Sequence, residues 1–147
     1  MPQDFAGDLR RAVEAARPRL EKISEQHASE KPSPAAWSRK EELGHLIDSA
    51  TNNHNRFVRA TLEPYTGPSY DGEGWVRVHN YADLPWSALT GFWSHYNHFL
   101  VGLLAVIPED RLDNPCIIAD EQSGTLRSVI EGYLDHMHHH LDHILAP

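Results

Sequence analysis

A single cysteine, Cys116, is all the thiol in this chain. One cysteine excludes an intrachain disulfide and points to a reducing cytoplasm. Long apolar runs are missing as well. LVGLLAVI (Leu100 to Ile107) is among the longest, far short of the roughly 20 residues a membrane-crossing helix needs. No membrane association is therefore expected. The opening residues, MPQDFAGDLRRAVEAARPRL, are charged and lack the apolar stretch of a secretory signal. Basic charge is scarce: 13 Lys and Arg stand against 21 Asp and Glu, a formal net charge of −8. No basic stripe interrupts this excess. Such a surface repels phosphate backbones, which argues against a nucleic-acid partner.

What is present suits one folded domain over residues 1–147. Apolar residues make up 40%, and four Trp, five Tyr and four Phe are enough to anchor a core. Charged residues are an ordinary 23%. The outlier is histidine, with eleven copies. Five of them lie in DHMHHHLDHI, Asp135 to Ile144.

Four helical patterns are legible. The first runs from about Asp4 to about Ser29, with Phe5, Leu9, Val13, Ala16, Leu20 and Ile23 on one stripe. Pro18 inside it predicts a kink or a restart. The second starts near Ala36 or Trp37, with Ser38 and Glu41 at capping-box spacing, and reaches about Leu62. Glu63 to Leu84 is rich in Gly, Pro and Asp and predicts a long loop, with a short extended piece at WVRV. A loop of that length usually covers or lines something. The third helix spans Pro85 or Trp86 to Ile107, with Leu89, Trp93, Tyr96, Leu100, Leu103, Leu104 and Ile107 on one face. A second loop follows, and the fourth helix runs from after Ser123 or Gly124 to about Leu145. Four helices predict an all-α four-helix bundle.

The histidine run keeps the register of the fourth helix. Leu126, Val129, Ile130, Tyr133, Met137, Leu141 and Ile144 form its apolar face. An appended tag has no such register. His136 and His140 are four apart, on one side of the helix at the rim of that face. This is metal-ligand spacing, but two ligands need a third from elsewhere. On the second helix, His54 falls on the apolar stripe and reads as a core histidine. His45 belongs to a polar stripe with Ser49, Asn52 and Arg56. That stripe either faces solvent or lines a cavity between helices.

Two segments carry a family resemblance. WSRKEELGHLIDSATNNHNRFVRA (Trp37 to Ala60) and TLRSVIEGYLDHMHHHLDHI (Thr125 to Ile144) resemble the second and last helices of the DinB/YfiT-like superfamily. The resemblance covers essentially the whole chain. It implies an up-down-down-up bundle with a divalent metal held by His45, His136 and His140. Zinc or nickel best suits three imidazoles, with manganese or iron also accommodated. Similar proteins are metal-dependent hydrolases or transfer low-molecular-weight thiols, so a small-molecule substrate is implied, and a homodimer. A non-catalytic, stress-related metal-binding module is the alternative. Asp48, Asn52 and Arg56 are further candidates for the reaction. Asp48 is placed to accept a ligand histidine's second N–H, and Arg56 to meet a substrate carboxylate. Glu42 reads equally as an acid/base group or a surface charge.

Overall fold

Ser38 sets the start of the central helix. In the computed structural model, which describes residues 3–147, its hydroxyl accepts a hydrogen bond from the Glu41 N–H at 3.2 Å. The Glu41 carboxylate accepts one from the Ser38 N–H at 3.0 Å. This reciprocal pair satisfies two otherwise orphaned donors and opens a helix at Arg39–Leu62. Leu43, Leu46, Ala50, Phe57 and Ala60 on its inner face are buried.

In chain order the helices are α1 (Phe5–Glu21), α2 (Glu25–Ser29), α3 (Arg39–Leu62), α4 (Gly72–His79), α5 (Trp86–Val106) and α6 (Leu126–Ile144). The four long ones form the bundle. The start of α5 meets the end of α1, where the Trp86 indole N–H donates to the Leu20 carbonyl at 2.8 Å. The start of α3 meets the end of α6, where Arg39 donates to the Ile144 carbonyl at 2.9 Å. Lys40, near the start of α3, pairs with Glu25 on α2, just beyond the end of α1. The directions are therefore up, down, down, up for α1, α3, α5 and α6. Parallel neighbours α3 and α5 need a long crossover, which accounts for the 63–85 segment.

That segment is structured. Tyr65–Gly67 (β1) pairs in parallel with Cys116–Ile118 (β2), clipping the two long connections together. The extended piece predicted at WVRV is instead part of α4. The Asp71 carboxylate caps it by accepting from the Gly74 N–H at 3.0 Å, and Asn80, left-handed at φ 51°, ends it. The β-branched valines suggested a strand, but the Asp cap and the burial of Val76 against the bundle prevail.

The first predicted helix is two. Pro18 lies inside α1 without ending it. The break comes after Glu21, where the Leu20 carbonyl accepts from Ile23 and from the Trp86 indole. Ser24 then caps α2. On α5 the buried face includes Thr90, Ser94 and Asn97, whereas Tyr96, Leu103 and Ile107 are only partly covered.

Gly44 is the tightest fit between α3 and the crossover. The Tyr81 ring lies over it, and a Cβ there would come within 2.1 Å of the ring. Gly44→Ala should therefore displace the buried Tyr81 and cost about 1–3 kcal/mol in urea unfolding. An unchanged midpoint would contradict this packing.

Candidate metal centre

The antiparallel seam of α3 and α6 decides which histidines meet. With Arg39 bonded to the Ile144 and Ala146 carbonyls, residues one to two turns into α3 face those one to two turns before the end of α6. His45 thus meets His136 and His140. The Nε2 atoms of His45 and His136 are 3.0 Å apart. Each of the three rings offers a nitrogen within 4.8 Å of the others. Their rings are mutually edge-on, with centroids 4.5–4.9 Å apart. Of the polar stripe of α3, His45, Ser49 and Arg56 therefore line inter-helix space, and Asn52 does not. His54 lies apart, hydrogen-bonded through Nδ1 to the Tyr96 hydroxyl at 2.7 Å.

Glu42, one turn before His45, is buried at 5% exposure. One carboxylate oxygen is 2.8 Å from His140 Nδ1 and the other 2.6 Å from His143 Nδ1. Burial alone would raise its pKa, but the hydrogen bonds from the two imidazoles outweigh it and hold the carboxyl below its usual range. Glu42 is then an ionised acceptor. It fixes the His140 proton on Nδ1, which turns the lone pair of Nε2 toward the other two histidines. At 5% exposure it is not a surface charge. The legible signal was its place three residues before His45.

The three nitrogens fit a cation. Desolvation, followed by repulsion from neighbouring imidazoles, pushes His45 and His136 down to about 4. Both are therefore neutral at pH 7, as ligands must be. Facing Nε2 lone pairs on neutral rings repel unless a proton or a cation lies between them. The buried Nδ1 of His45 has no partner among the described residues, and the Trp37 ring packs on its imidazole at 4.9 Å.

Asp48 has partners other than a ligand histidine. Its Oδ1 accepts from the Tyr81 hydroxyl at 2.6 Å and lies 3.1 Å from His79 Nδ1. Burial raises its pKa, against the opposing effect of those two partners. Asn52 donates to the Asp48 carbonyl at 2.9 Å, a local helix contact. Arg56 lines a trough of about 730 Å³ that also takes in His136. Ser49 and Asn53 of α3, Gly132 of α6 and Tyr70 from the crossover line it as well. Sequence reasoning missed His79; the trough is the inter-helix cavity that the polar stripe left open as one of two readings, with Ser49 and Arg56 in its wall.

A family model described as the DinB superfamily matches residues 8–144. Among solved structures, the chain is similar to YfiT from Bacillus subtilis, described as a probable metal-dependent hydrolase with an unusual four-helix bundle topology. That similarity has a TM-score of 0.83 at 19% identity, covering 95% of this chain and 81% of YfiT. The DinB-like protein YjoA from Bacillus subtilis aligns with a TM-score of 0.68 at 18% identity, covering 97% and 87% of the two chains. No curated protein matches significantly in sequence.

The lowered histidine values make a signed prediction for metal-free protein. Unfolded histidines near 6.5 take up protons before the folded ones near 4 do. The stability contributed by the neutral pair is complete above about pH 6.5 and is lost as pH falls toward 4. Imidazole NMR of EDTA-treated protein should show His45 and His136 still neutral at about pH 5.5, where a free imidazole is mostly protonated. Titration of either ring near 6.5 would contradict the burial argument.

Proposed function

The chain belongs to the DinB superfamily, and we propose that it is a metal-dependent enzyme acting on a small molecule, with His45, His136 and His140 holding one divalent cation. The observation that carries this reading is the convergence of three imidazole nitrogens from two helices, one of which, on His136, belongs to the wall of a trough. Among the described residues no fourth His, Cys, Asp or Glu joins the set. That supports coordination with open positions, the mark of a catalytic rather than a structural site. It weighs against the alternative of a closed, non-catalytic metal-binding module. Similarity to YfiT, described as a probable metal-dependent hydrolase, supports the same reading.

When bound, such a cation supplies Lewis acidity to a group entering an open position, activating a water for hydrolysis or a thiol for S-transfer. Zinc or nickel suits the imidazole set. The remaining work falls to the chain itself. Glu42 holds the tautomer and orientation of His140. Trp37 shields one face of His45. The start of α4 closes the approach from the crossover side, with a Gly72 Cβ position 3.2 Å from His45 Cε1. The trough is left as the route for a small substrate, and a low-molecular-weight thiol is the candidate for S-transfer. No helix among the described residues is long and apolar enough to cross a membrane. Together with the lone, buried Cys116, this supports the cytoplasm as the place of action.

A second copy is the proposed partner for the outer face of α5. This 21-residue helix contains no Asp, Glu, Lys or Arg. Phe92, Phe99 and Val106 are exposed on it, and Tyr96 and Leu103 complete a 4-3-4-3 spacing, the repeat of a self-complementary helix seam. An uncharged face also lets two copies of net charge −8 approach.

Elemental analysis of untagged protein should find about one divalent ion per chain, lost in His45→Ala. Glu42→Gln should retain the fold but weaken metal binding about 10- to 100-fold. Full metal content in His45→Ala would remove the ligand assignment. Sedimentation should show a dimer that Phe99→Glu converts to monomer. A wild-type monomer at high concentration would end that part of the proposal.

A further inference from the structure

The proposed reading names a reaction site but no feature that selects its substrate. The trough supplies one. His136 marks one end. Ser49, Asn53 and Arg56 lead away from it along α3, and Gly132 and Thr125 along antiparallel α6. Thr125 to His136 is eleven helical steps, about 16 Å, so the cavity is long rather than round. Gly132 keeps its middle open: nothing lies within 4 Å of a Cβ placed there. A glycine within a helix costs about 1 kcal/mol relative to alanine, and no neighbouring atom requires it here.

Among the described residues, Arg56 is the only Lys or Arg lining this space. It is half-buried. One of its five N–H groups donates to the Pro68 carbonyl at 3.2 Å, and its guanidinium lies 5.8 Å from the Tyr70 ring centre. Among the described residues, no carboxylate lies within 4 Å of it, although the chain has 21 acidic residues. A guanidinium held by an aromatic ring and a carbonyl, with most of its donors unused, is set up for a planar anion. The start of α6 is not a competing seat. Its first three N–H groups already donate to Asn114, Leu112 and Thr125. Glu121 also lines the trough, exposed to solvent.

We infer that the trough selects an elongated small molecule whose carboxylate is seated on Arg56 while its reacting end lies at His136. This rests on the metal-site reading for the reacting end only; the carboxylate seat stands on Arg56 and the cavity. Arg56 is therefore a specificity residue, separate from the ligand set.

The test compares 6-mercaptohexanoate with 6-mercaptohexanol, equal in length and differing in the terminal charge. Titrated calorimetrically into cobalt-loaded protein, the acid should bind about 10- to 100-fold more tightly, the range for a hydrogen bond to a charged group. Arg56→Gln should abolish that preference with metal content unchanged. Arg56→Lys, which keeps the charge but not the fork, should retain part of it and serves as the check that the position tolerates change. Gly132→Leu, which fills the trough, should weaken both probes. Hexanoate against hexanol on EDTA-treated protein repeats the comparison without metal. Loss of metal binding with the Arg56-dependent preference intact would fell the metal reading alone. Equal affinity for acid and alcohol, or a preference that survives Arg56→Gln, would overturn the inference.

Discussion

One buried carboxylate organises the seam between α3 and α6. Glu42 has almost no access to solvent, so its charge needs partners. It finds them in the Nδ1 atoms of His140 and His143, across the seam. The pairing fixes the register of two antiparallel helices at the place where His45 must face His136. It also decides which nitrogen of His140 is left over. Without Glu42 the same three histidines would share a neighbourhood, but His140 would be free to turn its other nitrogen inward.

The bundle supports this arrangement from both sides. Arg39 ties the end of α6 to the start of α3 through two carbonyls. On the other side of α3, Tyr81 packs on Gly44 and donates to Asp48, so the crossover is anchored one turn from the candidate ligand. The up-down-down-up topology requires that crossover, and the chain uses it twice: once to reach the start of α5 and once to cover the site. The same economy appears in Tyr70, which comes from the crossover yet forms part of the trough wall.

Much of this was legible in the residues. The Ser38–Glu41 box, the Leu62 end of α3 and the apolar register through the histidine run each rest on local chemistry, and local chemistry is what a sequence displays. The meeting of His45 with His136 and His140 was not available from spacing. The polar stripe bearing His45 was equally consistent with solvent, and only the family resemblance directed it inward. The failures share a cause. The helical fate of WVRV depends on an Asp cap and on Val76 finding the bundle. The split of the first helix depends on a tryptophan 66 residues away taking the Leu20 carbonyl. Glu42 and Asp48 were both read as acidic residues beside His45, and tertiary partners gave them different roles. Pro18 does not mark a restart: α1 runs through it to Glu21.

The central claim is that three imidazoles share one cation. Anomalous diffraction at the zinc edge from crystals of zinc-loaded, untagged protein tests it most directly. The account predicts one strong peak about 2.0–2.1 Å from a nitrogen of each of His45, His136 and His140, with the His140 contact through Nε2. A peak among the outward-facing His138 and His139 instead, or none between α3 and α6, would contradict it.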